Sequence, residues 1–505
     1  MKNRRIRLTD YFVTAFSFSL LALASNSFAQ QAEPGNNQSM DPAKARVVEH
    51  WTNDRRSAAI PRDFVIDSRG LGYLRRPDGT LQPYGHQIVA EIAANSPSPN
   101  AKPGGGSNDT TSPSISNMDP GEGAVTGASH TFSATVTDEV EVRSVSFTIQ
   151  FPDGSTTQTF NANAGADDLW TVTLSGFSNG NWSWWVVAKD TAKRGGNSAT
   201  SAIVNFTVDT GGGGGSGGDS GDTVANAEWT AAGDVQTAAG RLYFEMPKNA
   251  KRKGPWAGYV CSGTAVTDSA SDRSVILTAA HCVYDDVNNA FARNVLFIPN
   301  QAETTGSGTD TNCSNDPVGC WVPSFGVVDT DWAGTTFPNN IPWDYAYYVV
   351  TVTGAHAGTG TTQSLEVAAG TLTINFTSPP DFDDGTPGTS SDDFTYGLGY
   401  SYNVDPNFMY CADDMTTEGA DNWWLPSCGL AGGSSGGPWV QPMNIGTGNG
   451  PVISVNSWGY TGSPGMAGPK LQASSADCVF STAVNTAWSS VPSTDGDAGV
   501  AVNCP

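Results

Sequence analysis

The stretch Gly432-Gly433-Ser434-Ser435-Gly436-Gly437-Pro438 holds the residue types that nucleophilic chemistry needs. Glycines on both sides let the backbone turn tightly, so that a serine hydroxyl is presented outward while amide N–H groups converge beside it. That combination is a nucleophile with an oxyanion site. A serine hydroxyl attacks well only when a base takes its proton. The chain has five histidines, His50, His86, His130, His281 and His356, and all precede Ser435. His281 stands out because it closes the apolar run Val275-Ile276-Leu277-Thr278-Ala279-Ala280-His281-Cys282, a segment of strand character ending in small residues.

Residues Gly433 to Gly437 also read as G-x-S-x-G, but the α/β-hydrolase elbow places its histidine after the serine, and none follows Ser435. The order His281, an aspartate, then Ser435 remains. Thr278-Ala279-Ala280-His281-Cys282 resembles the histidine box of chymotrypsin-like serine proteases, and Gly433-Ser434-Ser435-Gly436-Gly437-Pro438 resembles their serine box. Ser457-Trp458-Gly459 is similar to the strand that hydrogen-bonds the substrate backbone in that family. The resemblance covers residues 223–505 and says nothing of the chain before them. It implies Ser435 as nucleophile, His281 as base, an oxyanion hole from the N–H groups of Gly433 and Ser435, substrate alignment by Ser457, Trp458 and Gly459, and two six-stranded barrels with the site between them.

The third member must be a carboxylate that holds the imidazole Nδ1–H. Asp344 leads directly into the apolar strand Tyr345-Ala346-Tyr347-Tyr348-Val349-Val350 and resembles the family's aspartate box. Asp329 and Asp331, in a more polar setting, are the alternatives. Cys261 and Cys282 match the family's disulfide around the histidine loop. Cys313 with Cys320 and Cys411 with Cys428 are local pairings, and Cys478 with Cys504 is what remains. Neither C-x-x-C pairs nor clustered histidines accompany these cysteines, so no metal and no cofactor are expected.

The chain departs from the family in ways that bear on activation and specificity. Ser434 stands where proteolytically activated members carry an aspartate, and no Arg-Ile-Val-Gly-Gly occurs upstream of Cys261. Activation is therefore expected to follow removal of a leader, as in the glutamyl endopeptidases, which Gly240-Arg241-Leu242-Tyr243-Phe244 and Phe297-Ile298-Pro299 resemble. Gly429 stands six residues before Ser435, where trypsin-like enzymes have an aspartate. Asn456 stands where some glutamate-cleaving relatives have a histidine. Neither preference is supported.

The elements that must position these residues read as all-β. Short strands split by Gly, Pro and Asn turns are expected at 240–244, 259–266, 274–279, 295–298, 345–352, 371–376 and 452–457, with a terminal helix over 481–488. Residues 108–209 alternate apolar and polar around His130, Phe147, Trp170 and Phe206, which argues for an immunoglobulin-like β-sandwich. Its Trp182, Trp184 and Trp185 are either core or a stacking surface for polysaccharide. Gly211 to Gly218 lies in a flexible linker over 210–222. Residues 1–29, with Lys2, Arg4, Arg5 and Arg7 ahead of a short apolar run and Ser27-Phe28-Ala29, describe a secretory signal peptide. The polar segment 30–107, with short strands at 63–67 and 72–74, reads as a propeptide or a spacer.

A chain of 505 residues needs more than one core, and eight cysteines in an exported chain most simply make four disulfides. Residues 1–102 carry 13 of the 25 Lys and Arg, whereas 219–505 carry 8 against 29 Asp and Glu, a balance of about −21. Such a field disfavours nucleic acid and anionic membranes. A basic leader can shield an acidic cleft. Acidic clusters such as Asp381, Asp383 and Asp384 suit either calcium or a hydrated loop. The expected product is a secreted monomeric serine endopeptidase acting on protein or peptide substrates. The competing class is a noncatalytic adhesin or pseudoprotease that binds surface polymers through the Ig-like module.

Overall fold

The computed structural model describes residues 40–504, apart from 68, 86–92, 95–108, 127–128, 153, 166–167, 176, 178–179, 193–195, 209–222, 252–253, 359–362, 379, 383–393 and 492–497. The segments expected to be a signal peptide and a glycine linker, with His86, Asp383 and Asp384, lie outside the described residues. What is described is mostly strand. Among the described residues no helix is long and apolar enough to cross a membrane.

Residues 109–208 form two sheets on one core. Ser129–Thr137 pairs with Leu169–Ser175 in one sheet, and Val142–Gln150 pairs with Gly180–Asp190 in the other. Phe132, Val136 and Leu174 from the first meet Phe147, Trp184 and Phe206 from the second. Period-two burial along Gly180–Asp190 turns Trp182 and Trp184 into this core and leaves Trp185 only half-buried. The three tryptophans are therefore not one outward stacking surface. His130 is a strand residue, 3.3 Å from Asp119.

In residues 223–504 a long sheet runs Ala239–Pro247, Trp256–Val266, Arg273–Thr278, Ala346–Thr351 and Phe325–Asp329 in order, with further strands at both ends. A second, five-stranded sheet carries Pro438–Val440 and Val452–Val455 next to Phe394–Gly399. A seven-stranded sheet holds Trp458–Tyr460 and Met466–Pro469. Most of the buried apolar side chains of these strands join one cluster, from Leu242 and Ile276 to Val455 and Ala467. All four cysteine pairs are disulfides: Cys261–Cys282, Cys313–Cys320, Cys411–Cys428 and Cys478–Cys504.

Three expectations need correction. Residues 371–376 make only isolated bridges, Leu372 to Val266 and Ile374 to Val452, because Asn375 Oδ1 accepts the Thr377 and Ser378 amides and turns the chain away. The terminal helix is Ala476–Asn485 and not 481–488; the Ser474 hydroxyl accepts the Ala476 amide and starts it earlier. The setting Gly354-Ala355-His356-Ala357-Gly358 lacks any partner pattern and suggests a surface residue, which His356 is not. It is half-buried on Trp321, at 4.7 Å between rings, and its Nε2 lies 3.2 Å from the Val318 carbonyl.

The segment before the sandwich is structured. Asp41 caps the helix Pro42–His50 and Thr52 caps Asn53–Ala58, an Asp-Pro and a Thr signal that sequence reasoning passed over. Asp63–Ile66 and Gly72–Arg75 form an antiparallel hairpin where two short strands were expected.

Trp184 is fully buried and its indole N–H donates to the Pro120 carbonyl at 2.9 Å. Trp184→Ala is expected to lower the stability of the sandwich by about 3–5 kcal/mol. Denaturant unfolding followed by circular dichroism tests this; a loss below about 1 kcal/mol would contradict the packing described.

Candidate functional site

The serine loop is shaped by what glycine alone permits. Gly433 has φ +94° and Gly436 φ +81°, and a Cβ at Gly436 would lie 2.1 Å from Thr278 Oγ1 and 2.4 Å from the Ser262 carbonyl. The loop is thus pressed against the strands that carry the histidine segment. Ser262 is the latch: its N–H donates to the Ser435 carbonyl (2.7 Å), its hydroxyl donates to the Gly433 carbonyl (2.9 Å) and accepts from the Tyr400 amide (2.9 Å). Asn456 holds the other side, donating through Nδ2 to the Leu398 and Ser434 carbonyls and accepting from the Trp439 indole. The amides of Ser434, Gly436 and Gly437 are all bonded within the loop region, to Ala431, Asn456 and Ser434 carbonyls. Of the amides from Gly433 to Gly437, those of Gly433 and Ser435 have no hydrogen bond among the described residues; these are the two donors expected of an oxyanion hole.

His281 begins where the strand Arg273–Thr278 ends and sits in a single 3-10 turn, Ala280–Cys282, tied by Cys282 to Cys261. Its backbone N–H donates to Asp344 Oδ1 at 2.8 Å, and its Nδ1 lies 2.7 Å from Asp344 Oδ2. Ser457 donates its hydroxyl to the same Oδ2. His281 is 0% and Asp344 1% exposed, so the imidazole cannot turn without breaking a buried carboxylate contact. With Nδ1 as donor, Nε2 is left as the basic nitrogen. That Nε2 is buried and takes no hydrogen bond among the described residues, so the expected link to the Ser435 hydroxyl is not made. The segments are nevertheless adjacent: Cys282 Sγ lies 3.9 Å from the Ser435 carbonyl. The alternatives to Asp344 are engaged elsewhere. Asp329 caps the helix Thr330–Gly334 and accepts the Ser475 hydroxyl, and Asp331 is in that helix's first turn.

What covers the imidazole is the leader hairpin. Asp63–Ile66 adds to Trp458–Tyr460 as a parallel strand, with Phe64, Val65 and Ile66 opposite Trp458, Gly459 and Tyr460. The Phe64 ring lies 4.5 Å from the His281 ring and 4.4 Å from Phe337. Asp63 and Val65 face the other way, into a cavity of about 260 Å³ that Ser434, Ser435, Ser457 and Gly459 also line. Sequence reasoning named none of Phe64, Ser262 or Phe337. The apolar run Phe64-Val65-Ile66 is a strand signal, but where a strand docks is set by long-range pairing.

No family model matches this chain. A search of curated proteins likewise finds no match.

Cations fix the leader to the acidic body. The Lys44 ammonium donates to the Val322 carbonyl and the Ser324 hydroxyl, both at 2.7 Å, and burial lowers its pKa to about 8. Arg62 is 1% exposed and reaches Asp285 at 3.4 Å and the Tyr84 hydroxyl at 2.6 Å. His50 meets Glu245 at 3.0 Å.

Asp63 is the one acid the leader brings to the groove wall, and burial pushes its pKa up to about 6, against the opposing pull of Arg75 and His281. A carboxyl whose pKa is higher when docked than its ordinary value of about 3.9 binds its proton more tightly in the docked state. The resulting stabilisation of docking is complete below about pH 4 and falls away as pH rises towards about 6. Hydrogen exchange over residues 60–75 of the full chain, corrected for intrinsic rates, is expected to show weakening protection across that window, and Asp63→Asn to flatten it. Protection that rises with pH there would contradict the assignment.

Proposed function

We propose that the chain is the precursor of a secreted serine endopeptidase of the chymotrypsin-like kind, with two barrels in residues 223–505 and an immunoglobulin-like module ahead of them. The observation that carries this reading is the fixed His281–Asp344 pair, whose remaining nitrogen is unpartnered, beside a serine loop with two uncommitted amides.

The chemistry follows from these atoms. Ser435 Oγ attacks the scissile carbonyl carbon as His281 Nε2 takes its proton. Asp344 holds Nδ1–H and stabilises the imidazolium that forms. The carbonyl oxygen, now negative, is received by the N–H groups of Gly433 and Ser435, each such donor contributing roughly 2.7–4 kcal/mol. His281 then protonates the departing amine, and water, activated by the same nitrogen, hydrolyses the acyl-enzyme. Backbone groups of Ser457–Gly459 align the substrate as an added strand, the place now held by Asp63–Ile66.

The leader position supports a precursor: it covers the base and occupies the substrate edge, so the groove opens only when the hairpin leaves. The four disulfides fit an oxidising compartment, as secretion requires. The adhesin reading gains nothing from Trp182 and Trp184, which are buried in the sandwich.

Ser435→Ala is expected to abolish hydrolysis of casein and labelling by a fluorophosphonate probe; peptidase activity surviving in this variant would overturn the reading. Phe64→Ala should raise fluorophosphonate labelling of the unprocessed chain. A buried phenyl ring contributes about 1.5–3 kcal/mol, which corresponds to roughly 10–100-fold more open groove. Unchanged labelling would mean that Phe64 does not hold the groove shut.

A further inference from the structure

The leader strand shows what the groove accommodates once it is vacated. Successive residues of a strand point to opposite sides, so a segment lying along Trp458–Tyr460 puts one side chain into the cavity and its neighbour onto the ring platform. The cavity is walled by residues 428–435 and 457–466, with Leu430, Pro464 and Met466 among the lining side chains. Among the described residues its only charged lining residues are Asp63 and Arg75, both supplied by the leader. Glu418 accepts the Tyr460 hydroxyl at 2.8 Å and is not part of the wall. Gly465, which lines the cavity, has φ +119° and is packed on the Trp424 ring, where a Cβ would lie 2.1 Å away. On the opposite side the platform is His281 and Phe337, and the side chain resting on it is a phenyl ring.

Resting on the serine-endopeptidase reading, we infer that the vacated groove selects peptides with an uncharged side chain in the cavity beside Ser435 and a large apolar side chain, aromatic above all, on the His281–Phe337 platform. The residue in the cavity is the one before the scissile bond, because Ser435 itself lines that cavity; in a substrate strand running opposite to the leader, which pairs parallel to Trp458–Tyr460, the residue preceding it then rests on the platform. Nothing left in the wall pairs with an ammonium, a guanidinium or a carboxylate, and a charge buried without a partner is strongly disfavoured. The platform offers a flat apolar surface whose area is matched by a ring and not by a small side chain.

The test uses the processed protein as secreted and an equimolar mixture of blocked peptides varied at these two positions. Peptides with Leu, Met or Phe before the cleaved bond are expected to exceed those with Lys, Arg, Asp or Glu by ~100-fold or more in kcat/KM, and Phe or Tyr at the preceding position to exceed Ala by ~10-fold or more. Phe337→Leu should shrink the second preference while keeping the first, and Ser463→Asp, an exposed addition at the cavity rim, should bring cleavage after Lys and Arg into view. A preference for charged residues before the bond, or indifference at the preceding position, overturns the inference. Fluorophosphonate labelling of Ser435 separates the two levels: labelled protein with the opposite preferences sinks only this inference, and unlabelled, inert protein sinks the endopeptidase reading with it.

Discussion

One buried carboxylate ties the site together. Asp344 accepts the His281 backbone N–H on one oxygen, faces His281 Nδ1 with the other, and takes the Ser457 hydroxyl on that same oxygen. Three segments far apart in the chain are therefore registered on a single group that is 1% exposed. An ionised carboxylate is tolerated at such depth only when its lone pairs are met, so none of the three contacts is dispensable to the others. The orientation of the imidazole, the placement of the edge strand Trp458–Tyr460, and the direction in which Nε2 faces all follow from this arrangement.

The serine loop is fixed by a different device. It has no charged anchor of its own, and its conformation is carried by backbone bonds from Ser262 and Asn456 together with glycines where a side chain would collide with Thr278 or Leu398. A loop held through its carbonyls keeps its amides available, and here the two available amides belong to Gly433 and Ser435. Rigid support and unspent donors are thus the same structural fact seen from two sides.

Much of this was legible in the sequence, and what was not shares one cause. The glycine run, the apolar strand ending at His281, and the acid leading into Tyr345–Val350 are local patterns, and each is read from a few neighbouring residues. The mostly-β class and the pairings Cys313–Cys320 and Cys411–Cys428 were accessible in the same way, whereas Cys261–Cys282 came from the resemblance and Cys478–Cys504 was what remained. The latch between Ser262 and Gly433 spans 171 positions, and Trp51 reaches Asn294 across 243. No local pattern encodes such contacts. The strand expected at 371–376 failed for a related reason: its apolar content suits a sheet, but Asn375 satisfies the following amides locally and the ladder ends. The basic balance of the leader suggested shielding of an acidic partner; that the shield is a strand with an aromatic ring on the imidazole is a property of register, which charge does not specify.

That register also constrains how the groove can open. The hairpin that fills it runs from Arg62 to Tyr84, and its two ends meet: Arg62 donates to the Tyr84 hydroxyl, which donates in turn to Asp286 at 2.6 Å, while Arg62 reaches Asp285. The Arg62 guanidinium also lies 5.4 Å from the Phe64 ring and 5.3 Å from the Tyr84 ring. Lifting Phe64 off His281 by swinging the hairpin about its base would take the Phe64 and Tyr84 rings from Arg62 and part it from Asp285 while these charges are still largely out of water. Parting buried charges that stay desolvated is strongly destabilising, whereas departure of the whole leader lets water reach Arg62 and the uncovered Asp285 and Asp286 together. On the proposed function, the favoured route is therefore departure of the whole leader, helices and hairpin together.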